Sequence, residues 1–343
     1  MIEFQYFFQL GLKPELNLDV YSVSRKTENF LGLYPDTLSD GTINYAYKTP
    51  VNVTYNLFEV DLSIKHYLFS KNQTLQFKTI YSRYSADLSS FLLPGGLLYP
   101  ASYEIYLRGW TSNLVYNFEN ILLKKDNDIN PYGTKVNLNL EYSTNDFNPE
   151  TYYNENEGTL ITRYAKTNYS RIELKAMQAF KLPAGKHSLT FKTRAGTTLG
   201  PETDSFFDFY LGGLIGMKSY PFYAISGNEI FHLNVNYRFP IFENIDRRFY
   251  HLYLDKIYGS IYFDFGNAWQ SKAVKLSNFK KGVGAELRVQ MNSFYLFPTS
   301  LFVNIAYGFD EFKRQNIFTK ETIKYGKEIL IYFGILFGFE LGE

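Results

Sequence analysis

Cysteine is absent from this chain. That excludes disulfide staples, thiol nucleophiles and thiolate metal sites, and leaves the compartment open. Tryptophan (two) and methionine (four) are scarce. No stretch approaches the roughly eighteen consecutive apolar residues of a membrane-spanning helix. Charge of one sign is also lacking. Lys and Arg number 35 against 34 Asp and Glu, so no basic field recruits nucleic acid. The opening residues Met1-Ile2-Glu3-Phe4-Gln5-Tyr6 carry neither the basic start nor the apolar core of an export signal. For an exported protein, this implies that the signal has been removed or that the chain is the tail of something longer.

What the chain has is Tyr (31) and Phe (32), spread over 343 residues. Its clearest pattern lies at 229–239. Phe231, Leu233, Val235, Tyr237 and Phe239 alternate with His232, Asn234, Asn236 and Arg238. Successive side chains of a β-strand face opposite sides of the sheet, so this strand has one apolar and one polar face. The same alternation recurs at 75–82, 136–142, 171–175, 189–194, 257–266, 283–290, 301–309 and 329–341. Less regular strands fit 2–8, 16–21, 60–69 and 103–118, about thirteen in all. The clearest approach the 9–11 residues that a tilted membrane strand needs. Connections alternate too. Those at 70–73, 182–186 and 292–298 are tight, and those at 25–48, 143–166, 200–227, 270–280 and 310–326 are long and polar. Segments 119–135 and 243–256 exceed a simple turn. Short turns at one end and long loops at the other are the asymmetry of an outer-membrane barrel, with aromatic girdles at its two interfaces. A soluble sandwich or propeller also alternates, but its strands are usually shorter. In that reading Lys78, Lys192, Arg194, Arg238 and Arg288 face solvent instead of a lumen. The expected class is therefore all-β, a transmembrane antiparallel barrel.

Four blocks narrow this further. The first is the loop Leu211-Gly212-Gly213-Leu214-Ile215-Gly216-Met217-Lys218-Ser219-Tyr220-Pro221-Phe222. The strand ending Tyr237-Arg238-Phe239-Pro240 follows, then Tyr262-Phe263-Asp264-Phe265-Gly266-Asn267, then Gly282-Val283-Gly284-Ala285-Glu286-Leu287-Arg288. In order and spacing these blocks resemble the C-terminal barrel of the bacterial surface antigen superfamily. That superfamily includes the insertase of the β-barrel assembly machinery and the two-partner secretion translocators. The resemblance is clearest from Leu211 to Glu286. It implies motif glycines at Gly212, Gly213, Gly216 and Gly266, and a basic loop tip folded into the lumen against the acid of the neighbouring strand. Here the tip is Lys218-Ser219-Tyr220, with Lys and Ser where the family has Arg and Gly, and its implied partner is Asp264. Arg238, Glu286 and Arg288 are read as lumen charges. A lysine is a point charge and lacks the two-point fork of a guanidinium, so the tip is expected to be held less firmly.

The family norm is a sixteen-strand barrel behind periplasmic modules. Residues 1–343 are accordingly read as one barrel domain lacking its first strands and any upstream module. The implied role is membrane-protein insertion or polypeptide translocation in the outer membrane of a Gram-negative bacterium. Implied partners are outer-membrane lipid, unfolded or secreted protein clients and periplasmic accessory proteins. A passive pore or surface receptor on the same scaffold is the alternative. No catalytic role, metal or cofactor is expected. His66, His187, His232 and His251 show no metal-ligand spacing. Glu141, Glu173 and Glu286 read more simply as lumen charges than as paired carboxylates. Gly212-Gly213 and Gly282-Val283-Gly284 lack the Lys-Ser/Thr and the helix of a phosphate loop.

Overall fold

A computed structural model describes residues 2–9, 14–37, 43–92, 96, 98–121, 131–148, 151–154, 159–183, 185–270, 274–294, 297–315 and 322–337. Thirteen strands follow one another along a single antiparallel sheet. They are β1 Ile2–Gln9, β2 Glu15–Thr37, β3 Ile43–Tyr67, β4 Gln73–Leu88, β5 Ser102–Ile121, β6 Gly133–Phe147 and β7 Ala165–Lys181. The second half comprises β8 Ser188–Leu199, β9 Glu229–Phe242, β10 Leu252–Trp269, β11 Lys280–Ser293, β12 Phe297–Gly308 and β13 Ile329–Phe337. Each pairs with its neighbour in the chain, and a short strand at Arg247–Phe249 adds to β10. Among the described residues β1 and β13 are not paired with each other, so the sheet is not closed. Gly338, Glu340 and Leu341 of the expected last strand lie outside the described residues.

The alternation sets the faces. On β12, Leu301, Val303 and Ile305 are 40%, 47% and 50% exposed, whereas Phe302, Asn304 and Ala306 are 8%, 0% and 1%. The apolar rows therefore point away from the sheet's interior and lie uncovered. The other rows point inward. Asn117 on β5 and Arg288 on β11 line the same cavity. On a flat sheet they would be six strand spacings, or about 29 Å, apart. The sheet therefore curls into a trough with its polar rows inside.

Several expected loops are in fact ordered by pairing. Most of 25–48 is strand, because β2 and β3 run to 23 and 25 residues and close on each other. Within the other long connections lie the hairpins Thr151–Asn154 with Thr159–Thr162, Phe209–Leu211 with Ile225–Gly227, and Phe312–Gln315 with Thr322–Tyr325. The connection after β10 holds a short 3₁₀ turn at Leu276–Asn278. Gly334 on β13 is covered by the ring of Phe302, which lies 2.8 Å from where a Cβ would sit.

A loop seated in the concave face

The connection from β8 to β9, residues 200–228, turns back into the trough. Asp204 caps a 3₁₀ turn at Ser205–Phe207, its carboxylate accepting from the Phe206 N–H at 2.8 Å. Phe207 packs with Leu107, Phe147 and Tyr169 on the inner wall. Two wall arginines hold the backbone that follows. Arg171 donates to the Phe207 carbonyl and Arg194 to the Tyr210 carbonyl (3.2 Å), while Arg194 also pairs with Glu173 at 2.6 Å. The hairpin then delivers residues 212–224 to the far side of the trough.

Gly212 and Gly213 make the reversal possible. Both have positive φ, +114° and +65°. A Cβ at Gly212 would lie 2.0 Å from the Pro221 carbonyl oxygen, and one at Gly213 would strike the Phe222 ring at 2.5 Å. No larger residue fits either position. The Gly213 N–H donates to the Tyr220 carbonyl at 2.7 Å and the Gly212 N–H to the Gly216 carbonyl at 2.7 Å. The tip is thus a compact knot held by its own backbone.

That knot rests on bare backbone. Met217 Sδ sits over Gly266 of β10, Ser219 over Gly282 of β11, and Tyr220 over Gly308 of β12. Gly282 and Gly308 face each other across the ladder. Ser219 and Tyr220 are fully buried. The Tyr220 hydroxyl lies 3.0 Å from the Lys281 carbonyl and accepts from the Asp310 N–H at 3.2 Å. Burial pushes its pKa up to about 12, so it remains a neutral donor.

Lys218 is seated in the trough, but not on the acid expected for it. Its ammonium donates to Glu286 Oε2 at 2.8 Å and lies 5.2 Å from the centre of the Tyr262 ring. Glu286 also accepts from Arg288 Nε at 3.0 Å and, more weakly, from Asn304 Nδ2 at 3.4 Å. Tyr262 donates in turn to Asn304 at 2.8 Å. Asp264 faces inward as expected and is 1% exposed. Its Oδ1 meets His232 Nε2 at 3.0 Å and Asn234 Nδ2 at 2.8 Å. Its Oδ2 is buried with no hydrogen-bond partner among the described residues. The physical reason is depth. Asp264 pairs with Gly282, and Glu286 lies four residues further along the same inward row, about 13 Å down the wall. A long lysine pointing down the trough passes Asp264 and ends at Glu286.

Arg238 and Arg288 line the cavity below the tip, about 820 Å³, as do Lys192 and Arg194. The sequence did not single out Asn304, the wall arginine Arg171 or the glycine at 308. Their inward parity was readable, but not which of them the loop would reach.

Among solved structures, the chain is similar to BamA from Haemophilus ducreyi lacking POTRA domains 1–3. Identity is 10%, over 95% of this chain and 65% of that one, with a TM-score of 0.48. It is also similar to CdiB from Escherichia coli, at 14% identity over 94% of this chain and 50% of that one, with a TM-score of 0.49. The chain thus spans between half and two thirds of their length. No protein-family model and no curated protein matches.

Proposed function

We propose that this chain is a bacterial outer-membrane β-barrel whose lumen is occupied by its own loop, and that it inserts or translocates other polypeptides. The carrying observation is the seating of Lys218-Ser219-Tyr220 on the inner wall, within blocks that resemble those of the superfamily. The uncovered apolar rows support a lipid-facing exterior, since a soluble monomer rarely exposes so continuous a patch. The tip is held to the wall by one side-chain ion pair, by the hydrogen bonds of the Tyr220 hydroxyl and by the packing of Met217, Ser219 and Tyr220 on three glycines. Such a restraint can be released without breaking a ladder of the wall, which is what a polypeptide entering the lumen requires. Clients are unfolded or secreted proteins, with periplasmic accessory proteins as further partners. The role is not enzymatic. The imidazole of His232 is taken up by Asp264 on one side and packs against Gly216 on the other.

A second reading, a passive pore or receptor on the same scaffold, is favoured by one feature. The cavity is lined by Lys135, Lys175, Lys192, Arg194, Lys218, Arg238 and Arg288 against only Asp264 and Glu286. A cysteine-free chain makes the test clean. A Cβ added at Gly282 falls 2.4 Å from the Ser219 Cβ, so a shift of about 1 Å reaches the span of a disulfide. Ser219→Cys with Gly282→Cys should crosslink on oxidation, abolish client insertion or secretion, and recover on reduction. A crosslinked chain that still inserts or secretes its client in full would show that the tip need not leave the wall, and a chain with no such activity in either redox state would leave the pore reading. No crosslink at all would remove the seated tip.

A further inference from the structure

The convex face of β4–β7 carries a charged row that neither the fold nor the loop requires. Arg83 on β4 pairs with Arg108 on β5, Arg108 with Asp146 on β6, and Asp146 with Lys166 on β7. Their chain neighbours Tyr84, Leu107 and Phe147 pack in the inner aromatic cluster, so the row itself points outward. It spans three strand spacings, about 14 Å. The row thus holds three cations and one carboxylate. Arg108 Nε donates to Asp146 at 3.1 Å. Arg83 lies over the Phe58 ring at 5.7 Å, and Lys166 makes no ion pair among the described residues. Asp87, four residues beyond Arg83, already accepts from Asn56 at 2.6 Å.

The rows beneath give this one its level. Two residues towards the short-turn end come Tyr81, Trp110, Thr144 and Asn168, with the Tyr81 and Trp110 rings 5.2 Å apart. Four residues further come Phe77, Leu114, Leu140 and Ile172, all exposed. A groove of about 320 Å³ crosses the upper two rows, lined by Tyr81, Arg108, Trp110, Asp146 and Lys166 among others. Apolar, then aromatic, then cationic is the order met on leaving the hydrocarbon for the headgroups. Guanidinium forks suit phosphate oxygens, and an ammonium adds a point charge.

We propose that this row binds the phosphate groups of a lipid in the leaflet on the side of the long connections. The site rests on the membrane reading above, and on neither the loop nor a client. Acyl chains would lie along the Phe77, Leu114, Leu140 and Ile172 row, with the phosphates across Arg83, Arg108 and Lys166.

The test reconstitutes the full chain in phosphatidylcholine nanodiscs containing lipid A, a glycolipid with two phosphomonoesters, after insertion is verified by heat-modifiable migration. Native mass spectrometry then counts retained lipid A. Each cation removed, in Arg83→Gln, Arg108→Gln and Lys166→Gln, should weaken retention about fivefold. Asp146→Asn should strengthen it, and inorganic phosphate should not displace it. Lys166→Gln breaks no ion pair and carries the test alone if the triple variant does not fold. An inserted Lys166→Gln or triple variant that retains lipid A like the unaltered chain would overturn the proposal. So would displacement by inorganic phosphate, which would reassign the row to free anions. A chain that never inserts would instead bring down the membrane reading, and the site with it, so the two failures are told apart at the first step.

Discussion

Glu286 gathers Lys218, Arg288 and Asn304 on one carboxylate that is almost fully buried, whereas Lys218 is about one quarter exposed. The two partners are therefore not equivalent. Losing Lys218 leaves the carboxylate with a guanidinium and an amide, close to the loss of a surface bridge, at ~0–1 kcal/mol. Losing Glu286 leaves Arg288 on the wall and Lys218 at the tip both without their carboxylate, closer to the ~3–5 kcal/mol of a broken buried pair. Urea unfolding of Lys218→Ala and Glu286→Gln in detergent should show this inequality. Equal costs would mean that the pair stands alone. Parity alone placed both Asp264 and Glu286 inside, and the family resemblance favoured Asp264. The choice between them was not legible because it depends on how deep the tip sits. That depth is set by the contacts of Ser219 and Tyr220 with Gly282 and Gly308. The cross-strand partner of Asp264 was closer to the surface of the sequence. Asn234 lies directly opposite it in the register and shares its inward face.

Strands were legible where one face is apolar and the other polar, as on β9 and β12. They were not legible where both faces are polar. The outer halves of β2 and β3 fall in 25–48, where charged and turn-forming residues mask the period of two. Yet the two strands pair there, and Val51 and Val53 pack with Ala86 and Phe91 inside. The faces themselves make a prediction. Ile305→Arg should cost ~2–4 kcal/mol near the middle of a bilayer. The same change at Leu276, which is exposed in a 3₁₀ turn beyond β10, should cost little. Equilibrium unfolding from lipid bilayers compares the two. A neutral Ile305→Arg would mean that this row does not meet hydrocarbon.

Taken whole, the molecule is a curled antiparallel sheet with its apolar rows outside. Its polar rows face a cavity, and its own loop is packed against the inner wall. A soluble sandwich would bury the rows that are exposed here. The strand at Glu229–Phe242 offers the sharpest test of this arrangement, because His232, Asn234, Asn236 and Arg238 line the cavity. Phe231, Leu233, Val235 and Tyr237 alternate with them on the outer face. Single cysteines placed in turn from 231 to 238, in a chain that has none of its own, can be labelled in liposomes with a water-soluble and a lipid-dissolved maleimide. Strict alternation is expected, with odd positions reacting from the lipid and even positions only from water. Odd positions shielded from the lipid reagent, or all positions reacting equally from water, would contradict it.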